Sequence, residues 1–93
     1  MKSKVLVHPG MAAWRFLVLP IIDGREIKEK YGKNARGFGS LPVLVKVGKT
    51  EWKTSIFPEK QSGSYVLPLK IKIRQIEEID DDSNVTFTIK LKF

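Results

Sequence analysis

A regular alternation of apolar and polar residues runs over 85–93, where every second side chain is apolar and those between are threonine or lysine. This period of two is that of a β-strand with one buried face. The same alternation predicts a strand over 41–47, with its valines facing inward, and a second strand over 51–57. Gly48 lies between them and readily adopts the positive φ that a hairpin turn needs. The pattern therefore predicts one β-hairpin and a further strand at 85–93.

β-branched and aromatic runs predict three shorter strands, at 4–8, 13–19 and 65–67. In the second of these, Trp14, Phe16 and Val18 share one face. We expect both Trp14 and Trp52 to lie in the core, because aromatic residues on strands usually fill the interior of a small β domain. Phe87 is expected to be buried for the same reason.

One helix is predicted between the second strand and the hairpin. Asp23 is expected to be its N-cap, with Glu26 as the capping-box partner and Ile22 packed against Ile27. Gly32 fits the end of this helix. The sequence therefore predicts a short helix held to the core by a few apolar side chains.

A second segment, 68–79, fits two periods. Its apolar residues alternate like those of a strand, while Leu69, Ile73 and Ile76 also have helical spacing. Periodicity alone does not decide between the two. Pro68 is favourable at the first position of a helix and would remove a donor from a strand. A short helix that starts at Pro68 is therefore favoured.

The composition bounds the class of protein. A chain of 93 residues, 42% hydrophobic and 29% charged, is expected to fold as one globular domain over 1–93. Its apolar runs are shorter than the roughly 18 residues of a membrane span, and it contains no cysteine. We therefore expect a cytoplasmic protein without disulfides and without contact to a membrane.

Charge is distributed unevenly. Residues 1–74 hold 15 basic and 5 acidic residues, whereas residues 75–84 hold 5 acidic residues and no basic one. The whole chain carries a formal charge of +7, which favours anionic partners. The sequence thus predicts a basic body with one acidic corner.

Four motifs together resemble the family catalogued as domain of unknown function 1905. They are Ala13-Trp14-Arg15-Phe16-Leu17 with Pro20, the run from Arg36 to Val43, the run from Trp52 to Pro58, and the run from Tyr65 to Lys70 with Arg74. The resemblance implies a mainly β fold, a small double-split β-barrel with one or two short helices. It also implies an architecture shared with the AbrB and MazE group of bacterial DNA-binding proteins. The family is often joined to a second domain of a bacteriocin-protection type, and its activity is not assigned.

The family pattern usually has a Gly-Asp turn before the last strand, and this chain has Asp82-Ser83 there. Asp82 or Asn84 is therefore expected to take a positive φ, because Asp and Asn tolerate it best after glycine.

Motifs for catalysis, cofactors and metals are incomplete. Gly48-Lys49-Thr50 ends like a P-loop, but Val43 stands where that motif needs glycine. Asp80, Asp82 and Asn84 copy only the start of a calcium loop. His8 is the sole histidine, so a nucleophile such as Ser55 has no base nearby in the sequence. We expect no catalytic residue, no cofactor and no metal.

The favoured function is a non-catalytic binding module, monomeric or homodimeric, that binds DNA or another polyanion. The basic residues predicted to contact nucleic acid are Arg15, Lys33, Arg36, Lys46, Lys53, Lys70, Lys72 and Arg74. The residues predicted to form an anion-binding loop are Gly37, Gly39 and Ser40. The alternative is a protein-interaction or scaffold domain that works with a separate bacteriocin-protection-type domain. A third alternative is that the basic residues are only solvated and have no binding role.

Overall fold

The computed structural model describes residues 1–7, 10 and 14–92. Within these residues the protein is mainly β, with eight strands in two sheets and two α-helices. The strands are β1 (Lys2–Lys4), β2 (Leu6–Val7), β3 (Arg15–Val18), β4 (Leu41–Val47), β5 (Thr50–Pro58), β6 (Tyr65–Leu69), β7 (Asn84–Thr86) and β8 (Thr88–Leu91). The helices are α1 (Ile21–Tyr31) and α2 (Ile71–Ile76), and 3-10 turns cover Gly32–Asn34 and Gly37–Gly39.

The larger sheet is antiparallel, in the order β2-β3-β6-β5-β4-β8. The predicted hairpin is β4 and β5, paired from Leu41 opposite Ile56 to Val47 opposite Thr50. Gly48 takes the expected positive φ in its turn. β5 then continues to pair with β6, so one long strand joins the two halves of the sheet.

The smaller sheet contains β1 and β7. β1 and β2 belong to one extended segment that is interrupted at Val5, and β7 and β8 belong to another that is interrupted at Phe87. Both interrupting side chains are buried. The Val5 amide donates to the Ser83 carbonyl, and the Phe87 amide donates to the Met1 carbonyl. Each segment thus passes from one sheet to the other at a core residue.

These interruptions correct two strand predictions. The strand predicted over 4–8 begins at Lys2 and is split in two, and His8 lies outside the described residues. The strand predicted over 85–93 is split at Phe87, although its alternation is confirmed up to Lys92. Phe93 also lies outside the described residues. The physical reason for both splits is that each half pairs with a different strand.

The core lies on the inward faces of the strands, and Ile27 of α1 packs against them. The valines of β4 are buried as predicted, and Phe87 is fully buried. The other buried apolar residues of this cluster are Val5, Leu17, Leu19, Leu41, Ile56, Tyr65, Leu67, Leu69 and Val85.

The predicted start of the helix was wrong. α1 begins directly after Pro20, whose carbonyl accepts from the Gly24 amide. Within the part of the chain that the structure describes, Asp23 makes no capping hydrogen bond, and Glu26 pairs with Lys30 instead. Ile22 is 80% exposed, so it does not pack against Ile27. The helix is rotated so that Gly24 and Ile27 face the core, and it ends before Gly32 as predicted.

The ambiguous segment contains both structures. Pro68 lies within β6, opposite Phe16 of β3, so it does not start the helix. β5 pairs with β6 at Tyr65 and Val66, and the missing amide of Pro68 therefore interrupts no ladder on that side. The predicted short helix follows as α2, from Ile71.

Candidate binding surfaces

The outward side of β4, β5 and β8 carries a cluster of lysines. Lys53 and Lys90 lie on the two sides of Leu44 in the register of the three strands. Lys46 lies in the next row, opposite Glu51 on β5. The Lys92 amide donates to the Pro42 carbonyl and continues the ladder. We call Lys46, Lys53, Lys90 and Lys92 the lysine face.

All four side chains of the lysine face are exposed, whereas Leu44 between them is half-buried. The aliphatic parts of lysine side chains typically cover such apolar surface while the ammonium groups stay in water. Lys53 and Lys90 are separated by one strand, so their backbones are roughly 10 Å apart. The face therefore presents several mobile cations on a rigid sheet.

The other half of the same sheet has an apolar outer surface. Leu6, Phe16 and Pro68 form one row across β2, β3 and β6, and Val18, Val66 and Phe57 form the next row across β3, β6 and β5. A solvated face of an antiparallel sheet is ordinarily polar. This surface departs from that rule.

A groove of about 370 Å³ follows these apolar rows. Its lining residues are Trp14, Phe16, Phe57, Pro58, Glu59, Val66 and Pro68, and we call it the aromatic groove. Trp14 is 48% exposed and Phe57 is 36% exposed. The placement of Trp14 in the core was therefore wrong, because Leu17 and Leu19 take the inward face of this segment. Trp52 is half-buried and packs against the core.

A second groove, of about 410 Å³, adjoins the first and shares Trp14 and Pro68 with it. Its other lining residues are Arg15, Leu69, Lys70, Ile71 and Arg74. We call it the basic groove. Three of the eight cations predicted to contact nucleic acid, Arg15, Lys70 and Arg74, are thus brought together, and Lys72 is exposed nearby on α2.

The predicted acidic corner meets the basic groove. Arg15 Nε donates to Asp81 Oδ1 at 2.5 Å, and Arg15 Nη2 donates to Asp81 Oδ2 at 3.2 Å. This hydrogen-bonded guanidinium lowers the pKa of Asp81, and the charge of Arg74 acts in the same direction. Arg15 is therefore oriented by Asp81 at the wall of the groove.

The glycine loop projects a phenylalanine. Phe38 lies between Gly37 and Gly39, has φ +60° and is 95% exposed. The Gly39 amide donates to the Arg36 carbonyl and the Ser40 amide to the Gly37 carbonyl. The anion loop predicted at Gly37, Gly39 and Ser40 therefore lacks two of its expected donors. Lys33 and Arg36 are exposed, and both precede this segment in the chain.

Three features of these surfaces were not predicted. Lys90 and Lys92 join Lys46 and Lys53 only through the register of β8 on β4. Phe38 and Phe57 were not assigned a role, although a phenylalanine between two glycines was a visible signal of exposure. Glu77, one of the five acidic residues of 75–84, accepts a hydrogen bond from the Thr50 hydroxyl, which the sequence did not predict.

The described residues contain no cluster of three side chains able to hold a metal ion. Neither of the helices found in them is long and apolar enough to cross a membrane. The described residues present two kinds of exposed surface, one cationic and one aromatic.

Comparison with known proteins places the chain in a family. The pattern that defines the family described as Domain of unknown function (DUF1905) matches residues 2–89. Among curated proteins, no sequence matches the chain. The match includes all four motifs on which the family resemblance was based, both grooves, and Lys46 and Lys53 of the lysine face, whereas Lys90 and Lys92 follow the matched range. The chain therefore belongs to the DUF1905 family.

Proposed function

We propose that this domain is a non-catalytic module that binds nucleic acid through its phosphate groups, with the lysine face as the contact surface. The observation that carries the proposal is the strand register, which holds Lys53 and Lys90 on the two sides of Leu44. Among the described residues next to the lysine face, Glu51, opposite Lys46, is the carboxylate that offsets this charge. The module acts in the cytoplasm without a cofactor, as a monomer or homodimer.

Phosphate contacts of this kind give affinity without sequence preference. Each phosphate neutralised on B-DNA contributes about −0.9 to the slope of log K against log salt. Lysine suits this role because its ammonium group is a compact charge on a flexible stem. The lysine face is therefore suited to a polyanion rather than to one small anion held in fixed geometry.

The fold is part of the same proposal. We interpret the two sheets as the halves of a double-split β-barrel related in architecture to the AbrB and MazE group. The support is that the segments interrupted at Val5 and Phe87 connect the edges of the larger sheet to β1 and β7, which pair with each other. Fold alone does not transfer DNA binding, so the proposed function depends on the charges.

The test is a salt titration with a mixed-sequence DNA duplex. Replacing Lys46, Lys53 and Lys90 together by glutamine should flatten the salt slope by roughly three units, if each contacts one phosphate. The matched control replaces Arg25 and Lys28 of α1 and Lys60 of the loop after β5 by glutamine; these residues are also exposed, are not on β4, β5 or β8, and carry the same total charge. Equal effects of the two triple variants, or no binding of the parent at low salt, would contradict the proposal.

A second candidate is the protein-interaction or scaffold function, working with a separate bacteriocin-protection-type domain. It is favoured by exposed isoleucines on both helices: Ile21, Ile22, Ile71 and Ile76. Aliphatic groups exposed in this way are typical of protein contacts. Calorimetric titration with that purified domain should give heat that is lost in Ile22→Ser and unaffected by nuclease. Absence of heat in the parent would exclude this partner.

A further inference from the structure

We propose that the aromatic groove and the Phe38 loop bind unpaired bases, so that the preferred ligand is single-stranded nucleic acid. This inference rests on the proposed function and deepens it. It is carried by the exposed rings of Trp14, Phe38 and Phe57 and the half-buried ring of Phe16, which lie on or beside the outer surface of the sheet with cations nearby.

The aromatic rings lie close together on the outer surface of the sheet. Phe16 and Phe57 lie in the two outward rows of β2, β3, β6 and β5, and Trp14 continues the surface beyond β3. Burying these rings would release apolar surface from water, and each ring offers a π-face. Every base also has a π-face, so aromatic platforms stack bases with little dependence on sequence.

Phe38 adds an exposed ring from the glycine loop. A non-glycine residue at φ +60° is in the left-handed region, which is uncommon for a bulky side chain. Gly39 fixes the loop against the sheet, since a Cβ at Gly39 would lie 2.9 Å from Pro58 Cγ. Pro58 itself lines the aromatic groove. The loop therefore carries a nearly fully exposed ring beside one end of the groove.

Cations lie near the aromatic groove. Arg36 precedes the Phe38 turn and is exposed. At the other end, Trp14 and Pro68 also line the basic groove, where Lys70 is exposed. Glu59 is the carboxylate among the described residues that line the aromatic groove. Bases stacked on the rings would thus have their phosphates near cations at both ends, an arrangement typical of single-strand binding proteins.

Two other ligands fit less well. Bases in a duplex are stacked on each other, so duplex DNA offers phosphates to the lysine face but no free π-face to the groove. A protein partner would use the apolar area but would not require aromatic rings or the cations. Single strands use both features.

The experiment uses the fluorescence of Trp14 as its signal. Trp52→Phe removes the second indole, and this change breaks no hydrogen bond among the described residues, since Trp52 Nε1 has no partner there. Titration with an oligo-dT of 12 nucleotides at low salt should quench the fluorescence of Trp14. An abasic oligonucleotide of equal length has the same phosphates without bases, and it should bind roughly ten-fold or more weakly.

Phe38 provides a matched pair of variants. Phe38→Tyr keeps a ring and should bind oligo-dT like the parent, while Phe38→Leu keeps only apolar bulk and should bind several-fold more weakly. The thermal midpoint of each variant should equal that of the parent, because the side chain at position 38 is almost fully exposed. Duplex binding should be the same in both.

The outcomes separate this inference from the proposed function. If duplex binds and the abasic and dT oligomers bind equally, base stacking is excluded and phosphate binding stands. If neither single strand nor duplex binds at low salt, both proposals fail. If the parent self-associates and Trp14→Ser abolishes that association, the groove is a protein interface and the inference is overturned.

Discussion

Gly24 determines how α1 lies on the sheet. A Cβ at this position would be 1.9 Å from Ser64 Oγ and 2.9 Å from Ser64 Cα. Ser64 is buried, and its hydroxyl donates to the Leu19 carbonyl at 2.8 Å. Side chain and backbone of Ser64 therefore occupy the space that any other residue at 24 would need. This contact explains why the helix turns Gly24 inward and Ile22 toward solvent.

Gly24→Ala should lower the free energy of unfolding by about 1–3 kcal/mol, because the added methyl group overpacks this contact. The matched control is Gly32→Ala, where the nearest atom is Lys28 Cγ at 3.6 Å and φ is −56°. It should be neutral or stabilising by up to about 1 kcal/mol. Chemical denaturation measures both. Equal midpoints for the two variants would show that α1 is not held at Gly24.

Asp81 makes stability depend on pH. Its pKa is lowered from the usual 3.8 by the hydrogen bond from Arg15. A carboxyl whose pKa is lower when folded stabilises the protein above its unfolded pKa, and that contribution is lost as the pH falls through the folded pKa. Asp81→Asn should therefore melt below the parent at pH 6, and the gap should close below about pH 4. In an Arg15→Gln background, the gap should be much smaller at pH 6, because only the weaker effect of Arg74 on Asp81 remains.

At the scale of elements, the hairpin is attached to the end of α2. The Thr50 hydroxyl donates to Glu77 Oε2, and Gly48 lies so close that a Cβ there would be 2.1 Å from Glu77 Oε1. Glu77 follows the last residue of α2. The turn of the β4–β5 hairpin and the end of the helix therefore hold each other in place.

Thr50→Val should destabilise the domain by about 1.5–3 kcal/mol, since it removes a hydrogen bond to a charged acceptor. The matched control is Thr88→Val, an exposed threonine on β8, which should change the midpoint by less than about 0.5 kcal/mol. Urea denaturation gives both values. A Thr50 variant as stable as the control would mean that the hairpin does not depend on α2.

Regular patterns predicted the elements better than their boundaries. Alternation alone predicted that the valines of β4 and Phe87 are buried, because the alternation of buried and exposed side chains can be read along a single extended segment. The start of α1 and the split at Phe87 depend on Ser64 and Met1, which are far away in the sequence. Trp14 was assigned to the wrong face because the segment 14–19 is apolar on both sides. The candidate site shows the same difference. Lys46 and Lys53 were predicted from their own strands, whereas Lys90 could be added only once the pairing of β8 with β4 was known.

At the scale of the whole molecule, positive charges outnumber negative charges. The chain has 17 basic and 10 acidic residues. Ion pairs among the described residues include Lys4–Asp82, Arg15–Asp81 and Lys30–Glu26. Exposed pairs of this kind contribute about 0–1 kcal/mol each. Because the chain has a net charge of +7, we expect repulsion between like charges to outweigh these pairs.

Raising NaCl from 0.01 to 0.15 M should stabilise the protein, because screening shortens the reach of that repulsion from about 30 Å to about 8 Å. We expect the thermal midpoint to rise by a few degrees, since about 0.5 kcal/mol corresponds to roughly 2–4 °C in a domain of this size. KCl should act like NaCl if screening is the cause. A lower midpoint at 0.15 M would show that the ion pairs dominate.

The pairing of β1 with β7 has a consequence for folding kinetics. Lys2 lies opposite Thr86, so the two partners are joined only after the chain between them has closed a loop of more than eighty residues. Contacts of such long sequence separation slow folding, because the entropy of closure is lost before the contact forms. During synthesis, the strand at Lys2–Lys4 leaves the ribosome long before its partner exists. Its backbone donors and acceptors have no partner strand until Asn84–Thr86 has been made, so we expect the smaller sheet to form late in folding.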